Sequence, residues 1–522
     1  MSAPHEPSPP APPAGAPRHS GLARALDAIE RVGNALPNPA TLFLIFAGLV
    51  AVASWLCAAL GVAVIHPRDG STLEAVNLLT REGVRRMFTE AVRNFMNFAP
   101  MGTVLVAMLG IGVAERSGLI GVSLRSLVMA VPRSLLTATV VFAGVMANLA
   151  ADAGVILLPP LAAQLFAAAG RHPLAGFAAA FAGVAGGFSA NLLPNPLDVL
   201  LVAFTREAVT ASKLLPGYEV QLLGNWIFLA VSTPFLTVIG TWITDRVVEP
   251  RLGPWTGERG DHLADPTPDE RRGLRAATWA LVALLAVVGV FALAPWGPLR
   301  AEGATELDRL KPFFDSMVMV ITLVFFVPGL AFAFAARKAR TDHDVVTMTG
   351  DTLATMGTYI VLAFCASQFL AWFNWSNLGA ILAIAGADML KGMGLGGAAL
   401  VPAFVALAAF INLFVTSASA KWAIMAPVFV PMFALLGFTP EATQVIFRIG
   451  DSSTNIVTPL FAYMPFLLAA AQRWDPKAGT GTLISLMLPF SVVFIVLWTL
   501  LLLAFYVFGW PIGPGVGMRL PG

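Results

Sequence analysis

NLFVTSASAKWAIMAPVFVPMFALLGFTPEATQVIFRIGDSSTNIVTP, residues 412 to 459, decides how this chain is read. Apolar sequence lies on both sides of it, yet it carries Lys421, Trp422, Arg448, Asp451 and Asn455. If those flanks cross a membrane, these groups must satisfy one another or face a water-filled cavity, because hydrocarbon offers them no partner. That makes the stretch a binding site by default. Gly437 and Pro440 punctuate it into two parts, an apolar segment with serines at its start and a second segment ending in RIGDSSTN.

Composition supplies the membrane. The chain has 522 residues, of which 57% are hydrophobic and 12% charged, and its mean hydropathy is +0.77. Too little polar surface is available to cover a soluble globule of that size. Apolar runs of about 20 residues, the length that crosses the hydrocarbon core as helix, alternate with short charged loops. The expected fold is therefore an all-α polytopic membrane protein. About nine to eleven transmembrane helices are counted, with two re-entrant helical hairpins and an internal two-fold repeat containing broken helices.

Composition also excludes classes. A net charge of +2 leaves no electrostatic footprint for nucleic acid. No HExxH occurs among the histidines and no GxxxxGK[ST] in the chain, so neither a metal-dependent protease nor direct ATP coupling is expected, and no metal or cofactor is assigned. Cys57 and Cys365 sit singly in apolar runs and read as small buried hydrophobes.

In chain order, residues 1 to 33 are a Pro/Ala-rich tail expected to be disordered and cytoplasmic. Residues 34 to 248 form a first transmembrane repeat, 249 to 273 a hydrophilic linker, and 274 to 514 a second repeat. Arg81, Arg85, Arg86 and Arg93 alternate with Val84, Met87, Phe88 and Phe95, the pattern of an interfacial amphipathic helix. From Asn148 to Gly170, Asp152 and the central Pro159–Pro160 suggest two half-helices meeting at a turn, a re-entrant hairpin. SANLLPNPLD, from Ser189 to Asp198, breaks the following span. The second hairpin is expected over residues 412 to 437, with Ser417, Ser419, Lys421 and Trp422 at its tip.

The halves match in order. Met101-Gly102-Thr103 answers Met356-Gly357-Thr358, and Asn148-Leu149 answers Asn412-Leu413. Pro160, Gly170 and Pro173 recur 267 residues later as Pro427, Gly437 and Pro440, and Ser189-Ala190-Asn191 recurs 264 later as Ser453-Thr454-Asn455. Transporters built this way bring their broken helices together at the substrate site. Unwound backbone there presents carbonyls to a cation or amides to an anion, which makes Asn191, Asn455, Ser189 and Ser453 cation-coupling candidates beside Asp198 and Asp451. An inverted repeat needs an odd number of spans between Met101 and Met356. Hydropathy counts six, so either one run does not cross or the repeat is parallel.

Asp451 is the strongest single candidate, able to exchange a proton or hold a cation. Arg448, three residues before it on one helix face, would tune it or grip a substrate carboxylate; a structural ion pair between the two is the plain alternative. Asp198 follows the first break and could equally cap a helix. Trp422 could stack on an aromatic substrate or anchor at the interface, and Lys421 could snorkel.

Six segments, NALPNPATLF, FAPMGTVLVAMLGIGVAERSGL, GRHPLAGFAAAFAGVAGGFSANL, FINLFVTSASAKWAIMAPVFVPM, FRIGDSSTNIVTP and GTLISLMLPFS, resemble the AbgT family of transporters from about Asn34 to Pro514. The resemblance implies inner-membrane homodimers with a bowl-like basin, nine spans and two re-entrant hairpins per subunit. It implies uptake of p-aminobenzoyl-glutamate or proton-driven export of sulfonamide antimetabolites. Functional residues carried over would be Asp198, Asn412, Ser419, Trp422, Pro440, Arg448, Asp451 and Pro459, to which position adds Ser417.

The expectation is an ion-gradient-driven secondary transporter, not an enzyme, for an aromatic anion, with H+ or Na+ as coupling ion. Its partners would be lipid and a second copy of itself. Two rivals stand beside it. An intramembrane aspartyl protease could use Asp198 and Asp451, although Arg448 occupies the first glycine position of its GxGD signature; a passive channel is the other.

Overall fold

The computed structural model describes residues 37–520, apart from 38, 66, 68–69, 130–131, 151, 258–265, 304–308 and 395. The N-terminal tail, 1 to 33, lies outside the described residues. The first apolar helix is α1 (Pro39–Ala59), followed by a two-stranded antiparallel ribbon, β1 (Ala63–Ile65) with β2 (Thr72–Glu74). Nothing in the sequence pattern announced that ribbon. The amphipathic segment folds as two short helices, α2 (Arg81–Thr89) and α3 (Ala91–Met96), with Met87 buried while Phe88 and Val92 stay exposed.

The first half continues through α4 (Ala99–Arg116), α5 (Leu119–Met129), α6 (Leu136–Met146), α7 (Asp152–Ala168) and α8 (Pro173–Phe181), which runs on as a π turn, Ala182–Gly186. Then come α9 (Pro196–Ser212) and α10 (Trp226–Ile243), the latter prolonged by a second π turn, Thr244–Val248. Helix persists to Leu252 and resumes at Pro268, so both ends of the hydrophilic linker, 249 to 273, are helical. The second half contains α11 (Pro268–Leu293), α12 (Met317–Ala335), α13 (Asp342–Thr355), α14 (Gly357–Trp375) and α15 (Leu378–Gly392). It closes with α16 (Leu400–Asn412), α17 (Ala418–Leu435), α18 (Pro440–Asn455), α19 (Met464–Gln472) and α20 (Thr480–Phe508).

Among the described residues, six helices are long and apolar enough to cross a membrane, or eight if each bent pair, α13 with α14 and α15 with α16, counts as one span. Runs counted toward nine to eleven spans at α6 and α8 instead fold as shorter apolar helices, as does α7 of the first hairpin. The outer helices expose apolar surface: only 11% of the apolar window of α11 is buried, and Trp55, Val238 and Trp279 are exposed.

Proline reads differently in the structure than in the sequence. Pro159 and Pro160 lie inside the continuous helix α7, as Pro427 and Pro431 lie inside α17. The first hairpin therefore does not turn at Pro159–Pro160. Its turn falls earlier, where the 3-10 segment Ala147–Ala150 ends α6. Neighbouring helices and serine or threonine groups re-satisfy the carbonyls that a membrane proline frees, so such a helix need not break. Pro173, Pro196 and Pro440, by contrast, sit in the first turn of a helix, where the missing N–H costs nothing.

The two halves repeat their backbone devices. Gly170 and Gly437 adopt positive φ, +78° and +88°, and end α7 and α17. Beside them Arg171 N–H donates to Phe166 O at 2.8 Å and Phe438 N–H to Phe433 O at 3.0 Å, the same closing bond 267 residues apart. Helix α18 lies at the centre, packed by α16, α17, α9, α20 and the π turn of α8.

Candidate functional site

Every residue of α18 is buried, although the helix is far from apolar. Glu441, Gln444, Arg448, Asp451 and Asn455 follow one another at steps of three and four, which lays them along a single stripe. Each finds its partner on a different piece of chain. Glu441 accepts from Tyr218 O–H at 2.7 Å and from Gln221 N–H at 3.0 Å. Burial, and then the charge of Glu441, push the Tyr218 phenol well above the usual tyrosine range, so it remains a donor. Gln444 Oε1 accepts from Thr205 Oγ1 at 2.8 Å. Asn455 Oδ1 accepts from Asn412 at 2.9 Å.

Two buried ion pairs occupy the middle of the stripe. Arg448 Nη1 meets Asp198 Oδ1 at 2.6 Å, and Lys421 Nζ meets Asp451, with 1% of each side chain exposed except Asp198 at 9%. Arg448 thus does not pair with Asp451, as the three-residue spacing suggested. Both project from the same stripe, but each is met by a charge from another helix, which neutralises it at shorter range than its helical neighbour can. Asp198 divides its two oxygens between a helix start and an ion pair. Its Oδ2 accepts from Asn195 N–H at 2.7 Å as the N3 member of the capping box that starts α9, whose N-cap is Asn195, and its Oδ1 faces Arg448.

Asn412 ties the second pair together. Its Nδ2 reaches the Asp451 carbonyl at 2.8 Å, Thr454 Oγ1 at 2.9 Å and Asn455 Oδ1, while its Oδ1 accepts from Lys421 Nζ. Lys421 does not snorkel, being wholly enclosed by these groups. Trp422 is neither an interfacial anchor nor an open platform. It is 0% exposed, one face stacks on Phe447 with ring centroids 4.7 Å apart, and Nε1 donates to Thr205 Oγ1 at 2.9 Å.

The remaining candidates divide into those near the pairs and those that shape backbone. Ser417 caps α17 and lies 3.2 Å from Ser419, both half-buried between α16 and α17. Pro440 begins α18 behind its cap Thr439, and Pro459 sits half-buried in the turn after it. The broken segments meet: Arg448 Nη2 donates to Ser189 O at 3.4 Å and Asn455 Nδ2 to Ala185 O at 3.5 Å. Ser189 Oγ, Asn191 Nδ2, Ser452 Oγ and Ser453 Oγ are buried with no hydrogen-bond partner among the described residues. A carboxylate-rich or hydroxyl-lined region with unspent polar atoms can take a cation or a hydrated ligand.

An arrangement of paired, buried charges at helix breaks suits translocation better than bond cleavage. A two-acid protease needs carboxylates sharing a proton, whereas here each acid already holds its own cation. The relatives agree. Residues 24–520 match the "AbgT putative transporter family". The chain belongs to the AbgT transporter family. Its members are membrane transporters, not enzymes. The chain is 39% identical to the p-aminobenzoyl-glutamate transport protein of Escherichia coli (strain K12), over 94% of this chain and 96% of that one. It superposes on the YdaH transporter of Alcanivorax borkumensis with a TM-score of 0.86 at 42% identity, covering 92% of this chain and 100% of that one. MtrF of Neisseria gonorrhoeae, described with a class of antimetabolite efflux pumps, matches with a TM-score of 0.88 at 42% identity, covering 94% and 100%.

Glu441, Gln444, Thr205 and Tyr218 join the site without having been singled out by the sequence pattern. The signal for the first two was present: polar residues at steps of three and four through PEATQVIFRIGDSSTN form one buried stripe. Thr205 and Tyr218 carried no local signal, since their value comes from bonds to a helix more than 200 residues away.

Proposed function

We propose that this AbgT transporter is an ion-gradient-driven carrier of p-aminobenzoyl-glutamate or related aromatic anions, with export of sulfonamide antimetabolites by the same site. The observation that carries the proposal is the Arg448–Asp198 pair, a buried guanidinium and carboxylate joined across the two halves of the chain. A substrate carboxylate is a competitor of the right shape for Arg448. Its arrival leaves Asp198 buried without a counter-charge, a state that a proton or a sodium ion relieves. Substrate and coupling ion are then linked through one arginine. Asp451 and Lys421 supply a second pair of the same kind. Ser189, Asn191, Ser453 and Asn455 are the coupling-ion candidates, and Ser417, Ser419 and Trp422 line the substrate side once the hairpin moves.

The inner membrane and a homodimeric assembly are proposed from the family resemblance, with the lipid-facing apolar surfaces of α1 and α11 in support. Purified protein in liposomes should accumulate labelled p-aminobenzoyl-glutamate, or a labelled sulfonamide, when a pH or sodium gradient is imposed. Saturable flux that collapses with the gradient is the expected outcome. Flux that is non-saturable and indifferent to both gradients would make the protein a channel and defeat the proposal.

A further inference from the structure

A cavity of about 370 Å³ opens between the C-terminal half of α9, the 213–225 loop and residues 311–315. That size falls within the usual range of small-molecule sites, about 300–1,000 Å³. A second cavity, about 10 Å³, lies against Arg448 and Asp198 and has room for roughly one water molecule. Leu222 and Leu223 line both. The α9 wall is continuous too. Asp198 and Val202 face the small cavity and Arg206 and Thr210 the larger one, four residues on a single helix face taken four apart. From Asp198 to Arg206 that face spans about 12 Å.

Polar atoms mark the same line. Gln221 Oε1, both side-chain polar atoms of Asn225, Gln444 Nε2 and Arg448 Nε are buried without a hydrogen-bond partner among the described residues. Buried polar groups are normally satisfied by protein or by water, so a string of unsatisfied ones between two cavities indicates a route that hydrates. At the larger cavity Arg206 is half-buried and its Nε donates to Val220 O at 2.8 Å, which fixes the guanidinium. Of the carboxylates there, Glu219 and Asp315 are exposed, and Glu219 is held by Lys311 at 2.9 Å. Glu441 is turned to Tyr218 and Gln221. Tyr218 and Phe314 add aromatic wall.

We infer that the Arg206 cavity is the aqueous vestibule of the Arg448–Asp198 site: a carboxylate-bearing aromatic solute is held first by Arg206 and passes Leu222 and Leu223 to reach Arg448. This rests on the transporter reading above and names the route it uses. The apolar constriction keeps the two arginines from sharing one solvent-filled space until the loop moves.

Thiol labelling tests the route without depending on the identity of the substrate. In a background with Cys57 and Cys365 replaced by alanine, Leu222→Cys and Leu223→Cys would each be treated in liposomes with an anionic methanethiosulfonate. The expected result is reaction at one or both positions, loss of flux after labelling, and labelling slowed about tenfold by Arg206→Gln, the size of an electrostatic steering effect. Lack of labelling at both cysteines in samples that still carry flux would overturn the route, as would labelling that leaves flux unchanged. Labelling slowed by Arg206→Gln in protein that carries no p-aminobenzoyl-glutamate would keep the vestibule and remove the substrate assignment instead.

Discussion

The α6–α7–α8 unit and the α16–α17–α18 unit share a frame and differ in chemistry. Each has an asparagine closing its first helix that donates to a carbonyl 39 residues later, Asn148 to Gly187 at 3.4 Å and Asn412 to Asp451 at 2.8 Å. Each ends its hairpin on a glycine of positive φ and restarts on proline. Yet α8 is apolar throughout, whereas α18 carries the polar stripe. At the turn the contrast reverses. Arg171 of the first unit is bound by Asp245, Glu249 and Thr137 near the surface, while the equivalent Phe438 is buried. The two units share a backbone frame, with charge in the interior of the second and at the periphery of the first. A site between unlike copies can bind an asymmetric solute, one end charged and the other aromatic.

The sharpest way to break this contrast is to remove one charge from α18. Asp451→Asn should abolish flux, and the buried Lys421 left behind should lower the stability of the detergent-solubilised protein by about 3–5 kcal/mol; the elution position of the assembly should not change. Asp198→Leu should cost a similar amount, because it orphans Arg448. The double variant Asp198→Leu/Arg448→Met should recover most of the loss in a thermal melt while remaining inactive in liposomes. If the double variant is as unstable as Asp198→Leu alone, the pair is not the reason for the loss.

A smaller effect separates the two asparagines. Asn412→Ala removes bonds to three acceptors and one from a cation and should cost about 2–3 kcal/mol, whereas Asn148→Ala should cost about 1. Equal melting shifts would deny that the second copy bears the polar load. The smallest difference between the copies should lie at the two turn glycines. Gly170→Ala and Gly437→Ala meet nothing within 4 Å, so each should cost only the left-handed backbone strain, about 1–2 kcal/mol. Different shifts would mean that the two turns are not equivalent.

Much of the frame was legible. Composition required a helical membrane protein, and glycine and proline at fixed offsets located the turn after each hairpin, because only glycine sits easily at positive φ and proline starts a helix without loss. Asp198, Arg448 and Asp451 could be chosen because charge inside an apolar chain needs a reason. Tight turns and helix starts are local, and so they are written in the few residues that make them.

Partners are not local. Arg448 and Asp451 stand three residues apart, and sequence spacing paired them with each other; tertiary packing gave Arg448 to Asp198, 250 residues away, and Asp451 to Lys421. Trp422 read as a stacking platform or an interfacial anchor, whereas in the fold Phe447 covers one face and Thr205 takes its N–H. Pro159–Pro160 read as a break, but surrounding helices let α7 pass through it. The sequence by itself determined the class, the repeat and the residues that could not be idle. Only the fold decided which of them touch, since the energy of a buried charge depends on what lies within a few ångströms of it, and that is set by helices distant in the chain.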